Sequence, residues 1–167
     1  MAVKEVKLST IEEVLTTLTT AEFNDALKRN RSAFLFRGLP NVSYKLTTSL
    51  RWNCKGKAGE LEPSILRNFS KYAASTSPLN SCWEQMVIGQ HHGLPTRLMD
   101  WTYSPLAALH FATSGEDITG MNQHDAVVWA IDITEMNTLL PAKYQKVLND
   151  ERAYLFTIDM LDRVAKD

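Results

Sequence analysis

Between Ile11 and Leu18 the apolar residues Ile11, Val14, Leu15 and Leu18 stand three or four positions apart, with threonine and glutamate between them. That is the spacing of one helix face, and Ser9 or Thr10 followed by Glu12 and Glu13 supplies a capping-box start. A second helical set, Ala21 to Lys28, continues or follows this helix and ends at Arg29-Asn30. The pattern then changes to a continuous apolar run, Ala33-Phe34-Leu35-Phe36, which reads as a short buried strand delivering Arg37 and Gly38 at its end. Asn41 to Lys57 is turn-rich, and Trp52 to Lys57 reads as an exposed loop. Glu62-Pro63 to Ala74 regains helical spacing, with Ile65, Leu66, Phe69, Tyr72 and Ala73 as its stripe and Pro63 in the first turn. Ser75 to Asn80 breaks it.

Trp83, Met86 and Val87 mark the next helix, with Ser81 ahead of it as a cap and Gly93 and Pro95 ending it. Ser104-Pro105 opens another, as an N-cap followed by a proline at the first helical position, with Leu106, Leu109 and Phe111 behind. Ser114 to His124 is a polar loop. Ala126 to Ile133, AVVWAIDI, is the clearest strand of the chain. Beyond it, Tyr144 to Leu148 and Tyr154 to Val164 have helical spacing, with Leu155, Ile158, Met160 and Leu161 available for burial. Two strands and several helices imply an α+β fold, a small sheet with helices packed around it.

Polar groups crowd between the two central helices, in Gln90-His91-His92-Gly93-Leu94-Pro95-Thr96-Arg97-Leu98-Met99-Asp100-Trp101-Thr102. Thr96 to Thr102 reads as a short extended link. Period-two alternation then turns Leu98 and Asp100 inward, and Arg97, Met99 and Trp101 the other way. A buried carboxylate costs several kcal/mol unless paired. Asp100 is therefore expected to accept hydrogen bonds from an arginine such as Arg97, a tryptophan N–H or a helix N-terminus, either structurally or in a ligand site. His91 and His92 are adjacent, so on a helix their side chains diverge by about 100 degrees and do not chelate one ion. No HxxxH or HExxH spacing exists, and no metal site is expected. A histidine closing the helix at Gly93 is the plainer reading.

Composition narrows the class. At 167 residues and 44% hydrophobic, the chain is long enough for one domain with its own core. A net charge of −1 gives no general case for a nucleic-acid groove or an anionic membrane, although a local basic patch survives within such a total. Cys54 and Cys82 lack metal-ligand spacing and are too few for a disulfide framework. No apolar run approaches a membrane span, and the first ten residues contain no signal-peptide core, so the expectation is a cytoplasmic protein.

Three stretches together resemble the FRG domain, a family named for its Phe-Arg-Gly motif. They are Phe36-Arg37-Gly38, then Tyr44 to Arg51 with Thr48 where the family usually has proline, and the run from Gln90 to Thr102, where nearly every position agrees. The resemblance covers roughly residues 30 to 135. Family members usually continue into a further strand pair with an Arg-x-x-x-Gln-x-Gly-x-Phe-like motif, which does not occur before Asp167. The expectation is a single FRG-like domain over residues 1–167, shortened or a fragment.

A strand ending in aromatic-Arg-Gly also resembles the first motif of the arginine-serine-glutamate class of ADP-ribosyltransferases. That resemblance implies a partial ADP-ribosyltransferase-like fold and assigns Arg37 to the phosphates of NAD, a task suited to a planar, permanently charged guanidinium. It also implies a serine or threonine on a second strand, Thr96 or Thr102, and a glutamate that stabilises the ribosyl cation. No glutamate stands in a matching context, since Glu135 lacks the paired pattern, and the catalytic residues stay unassigned. The candidate NAD-binding set is Arg37, Gly38, His91, His92, Thr96, Arg97 and Asp100. Two functions follow: an ADP-ribosyltransferase-like, NAD-binding enzyme, or a noncatalytic nucleotide- or protein-binding module whose polar cluster is structural. Each of these residues also has a plain reading, Arg37 in a salt bridge with Asp100 or Asp132, Gly38 in the turn before Pro40, Arg97 at the surface.

Overall fold

The strand that carries Arg37 is longer than its apolar run. In the computed structural model, which describes residues 3–20, 23–25, 29–30, 33–73, 81–114 and 123–166, it runs over Phe34–Leu39 and continues through Arg37 and Gly38. Gly38 and Leu39 stay in it because they pair with Val128 and Val127. Arg37 is thus mid-strand and not at a strand end.

In chain order the elements are α1 (Ile11–Thr19), β1 (Phe23–Asn24), β2 (Arg29–Asn30), β3 (Phe34–Leu39), α2 (Ser49–Cys54), a 3-10 turn (Lys55–Lys57), α3 (Ala58–Ala73), α4 (Cys82–His91), α5 (Pro105–Thr113), β4 (Val127–Asp132), α6 (Ile133–Thr138), α7 (Ala142–Asp150) and α8 (Ile158–Lys166). The architecture is α+β. Two compact units divide the chain, the first made of Met1–Ser43 and Trp101–Ile133, the second of Tyr44–Asp100 and Thr134–Asp167.

In the first unit α1 begins as its capping box predicts: Thr10 caps the Glu13 N–H while the Glu13 carboxylate takes the Ser9 and Thr10 N–H groups. Those two backbone donors hold the Glu13 carboxyl below its usual range. Where a helix was expected over Ala21 to Lys28, Phe23–Asn24 pairs antiparallel with Arg29–Asn30 around a turn at Asp25, and residues 21–22 and 26–28 lie outside the described residues. Asn24-Asp25 favours a turn over helix continuation. β3 pairs antiparallel with β4, Phe36 opposite Ala130 and Arg37 opposite Trp129. On the other edge of β3, Phe36 exchanges two backbone hydrogen bonds with Thr102, at 2.8 and 2.9 Å.

α5 lies across β3, and its inward face is not the one its large residues suggest. Ala108 and Ala112, one turn apart, are buried, while Leu106 and Phe111 are exposed. The reason is Gly38. A Cβ there would stand 1.8 Å from the Ala108 carbonyl oxygen and 2.7 Å from the Ala112 nitrogen, so helix backbone touches strand backbone and only small residues fit between. Gly38 therefore serves helix-on-strand contact, not the turn before Pro40.

The second unit is helical. Trp52 to Lys57 is not a loop: Thr48 caps the Arg51 N–H and opens α2, whose Leu50 is buried while Trp52 is 71% exposed. α3 starts at Ala58, four residues before Glu62, so Pro63 sits inside the helix and removes the N–H that Gly59 would accept. Its inward face uses Leu66 and the buried Glu62, and Tyr72 points outward at 82% exposure. Residues 74–80, including the expected break, lie outside the described residues. α4 has Ser81 as N-cap and ends at Gly93, whose φ of 79° is the left-handed value that a glycine stop supplies. α3 packs on α2 and α4, and α8 on α4 and α7. α8 buries Met160 and Val164, whereas Leu155 and Ile158 are exposed. α6 was not foreseen, because its residues ITEMNT carry no apolar repeat long enough to reveal one turn and a half.

Candidate functional site

Alternation along β3 sends consecutive residues of Phe36-Arg37-Gly38 to opposite faces of the sheet. Phe36, buried, and Gly38 lie on the α5 side. Arg37 faces away from α5, half-buried, and shares its face with Leu35, Leu39, Val127, Ile131 and its cross-strand partner Trp129. The Trp129 indole Nε1 is buried and has no hydrogen-bond partner among the described residues. Arg37 and Trp129 are thus cross-strand neighbours on one face of the sheet.

The polar run between α4 and α5 belongs, up to Asp100, to the second unit. Its centre is Thr96, 1% exposed, which the sequence did not mark as the inward residue. The Thr96 hydroxyl donates to Gln90 Oε1 at 2.5 Å and accepts the Leu98 N–H at 3.2 Å. Gln90 Nε2 in turn donates to Asp100 Oδ1 at 2.6 Å. The Thr96 backbone is tied as fully: its N–H donates to Ser49 Oγ at 3.1 Å, and its carbonyl accepts from Ser49 Oγ and the Leu50 N–H. The amide of Gln90 thus ties the middle of the run, Thr96, to its end at Asp100, and Ser49 fastens that middle to the first turn of α2.

Asp100 is exposed, contrary to the expectation of burial. The link is not regularly extended, so alternation does not carry through it. The buried acid is Glu62. Arg97 forms a two-pronged ion pair with it, Nε donating to Oε1 at 2.6 Å and Nη2 to Oε2. Arg97 does not bridge to Asp100 and is not simply solvated: 60% of its side chain is exposed while Glu62 keeps only 6%. The Glu62 hydrogen bond holds the guanidinium above its ordinary value. Glu62 was legible as an anomaly, an acid one turn before Leu66 on the apolar stripe of α3.

His91 and His92 are exposed at the end of α4, with the His92 ring 6.5 Å from that of Phe69. The helix is closed by the backbone N–H of His92, which donates to Ile88 and Gly89. Gly89 is in the helix because a Cβ would meet Leu94 Cδ2 at 2.7 Å. Among the described residues no group of three or more His, Cys, Asp or Glu is placed to hold a metal ion.

A family model for the FRG domain matches residues 32–119, just over half of the 167 residues. The chain belongs to the FRG domain family. No curated protein and no solved structure matches it. The matched part of this FRG domain opens at β3, where Gly38 receives α5, and takes in the Thr96 loop with its Ser49, Glu62 and Gln90 partners. It stops before β4, so Trp129, opposite Arg37, falls outside it. Among the described residues no helix is long and apolar enough to cross a membrane.

Proposed function

We propose that this FRG domain binds the phosphate of an NAD-type nucleotide, with Arg37 as the anion ligand and Gly38 fixing the strand that presents it. The observation that carries this reading is the pairing of Arg37 with Trp129, whose buried indole N–H has no acceptor among the described residues. An unmatched buried donor costs about 1–3 kcal/mol, which an acceptor brought in by a ligand recovers. The mount is stiff: β3 is hydrogen-bonded on both edges and pressed by α5. A guanidinium with fixed, paired donors is the side chain that best reads phosphate oxygens.

In this reading Thr96, Arg97 and Asp100 act as scaffold, tied to Gln90, Ser49 and Glu62 within the second unit, and His91 and His92 are surface groups. The enzymatic form of the reading, ADP-ribosyl transfer or NAD consumption, adds a carboxylate facing the ribosyl cation. A noncatalytic binding module is the second reading, and the commitment of Gln90, Thr96, Arg97 and Asp100 to one another and to Glu62 favours it.

Calorimetric titration with NAD and ADP-ribose tests the binding. Heat of binding is expected with both, lost in Arg37→Ala, weakened in Arg37→Lys, which keeps charge without the fork, and weakened about tenfold in Trp129→Phe. No heat with either ligand in a folded sample refutes the reading. Nicotinamide release on incubation with NAD then separates enzyme from binding module.

A further inference from the structure

From Tyr44 to Lys57 the chain carries four cations, Lys45, Arg51, Lys55 and Lys57, and no acid, within a protein whose net charge is −1. All four are exposed, and among the described residues none forms an ion pair. Trp52, 71% exposed, stands among them, while Leu50 on the same helix is buried. The groups follow one another closely along the chain: Arg51 and Trp52 stand on the exposed side of α2, and Lys55, whose φ is 49°, opens the 3-10 turn that ends at Lys57. The C-terminal carbonyls of α2 account for Arg51 and Lys55 near its end. They do not account for Lys45, Lys57 or a bare indole.

We infer that this exposed, acid-free segment binds single-stranded nucleic acid, the cations along the phosphates and Trp52 stacked on a base. Helix α2 and the turn after it have a contour length of about 15 Å, comparable to three or four phosphates. An exposed aromatic flanked by cations is the arrangement that holds unpaired bases without sequence preference. Duplex DNA would engage the charges and leave Trp52 idle. A membrane surface calls for an apolar helix stripe, and α2 offers one exposed ring on six residues.

The test is fluorescence anisotropy of a labelled oligothymidylate of about 16 nucleotides. With the full chain at about 50 mM salt, binding is expected with a slope of log Kobs against log salt near −2.8, that is, about −0.7 for each of four cations. Trp52→Ala should weaken binding by about 5–150-fold with the slope unchanged. Lys55→Gln/Lys57→Gln should reduce the slope by about 1.4. Both positions are exposed, and circular dichroism should show the variants folded. The same sequence as a duplex, and vesicles rich in phosphatidylserine, should bind more weakly and ignore Trp52→Ala. Absence of binding by the wild type, equal binding of duplex or vesicles, or indifference to Trp52→Ala would overturn the inference.

Discussion

Replacing Gly38 by alanine asks one methyl group to occupy space already filled by the backbone of α5. The added Cβ would lie 1.8 Å from the Ala108 carbonyl oxygen, 2.8 Å from its carbon and 2.7 Å from the Ala112 nitrogen. None of these is the tip of a side chain that can swing aside. Relief requires α5 to withdraw by about 1.5 Å, which breaks the contact of Ala108 and Ala112 with the strand. Overpacking of a well-filled core costs about 1–3 kcal/mol, and a clash against helix backbone belongs at or above the upper end. At about 3 kcal/mol the melting temperature should fall by roughly 6–12 °C for a chain of this size. Thermal unfolding followed by circular dichroism measures it. Gly59→Ala is the control: it is helical, its added Cβ meets nothing within 4 Å, and it should hold or raise stability by up to about 1 kcal/mol. If Gly38→Ala melts within about 2 °C of wild type, α5 does not rest on that strand and the account of Phe36-Arg37-Gly38 is wrong.

Arg97→Ala strands the buried Glu62 carboxylate and should cost about 3 kcal/mol, whereas Arg97→Ala/Glu62→Leu should recover much of it; a double variant no more stable than the single one in urea unfolding contradicts the pairing. Asp100→Ala removes an exposed acceptor from Gln90 and should cost only about 1 kcal/mol, so a loss of 3 kcal/mol or more by the same method would return Asp100 to the interior. The Glu13 carboxyl is held below its unfolded value, so its contribution to the start of α1 is complete above that value and vanishes as pH falls through the lowered one. Amide exchange at Ser9 and Thr10 should therefore speed up on acidification beyond the intrinsic pH effect, and Glu13→Gln should abolish that excess.

What the sequence disclosed followed from rules that act over a few residues. The caps at Thr10, Ser81 and Ser104, the glycine stop at Gly93 and the strand around Trp129 were all readable because neighbours decide them. The failures needed a distant partner. Nothing local says that Ala108 and Ala112 face inward in place of Leu106 and Phe111, since Gly38, far earlier in the chain, selects small residues there. Likewise alternation turned Asp100 inward, but Glu62 was the acid that Arg97 met, and Thr96 the residue that Ser49 and Gln90 enclosed.

The two family motifs thus differ in kind. In the longer one, Gln90, Thr96, Arg97 and Asp100 hold one another, Ser49 and Glu62, while Gly89 and Gly93 shape the helix end, so it specifies a loop before it specifies a ligand. In Phe36-Arg37-Gly38 the strand period divides the work: Phe36 and Gly38 go to α5, and Arg37 is left for the opposite face. A sequence that keeps Phe and Gly but replaces Arg should keep α5 on the strand, since Phe36 and Gly38 supply the side of β3 that faces that helix. Arg37→Gln, still folded by circular dichroism while losing its heat of NAD binding, would be the signature of that division; a collapse of the fold would show the guanidinium to be scaffold above all.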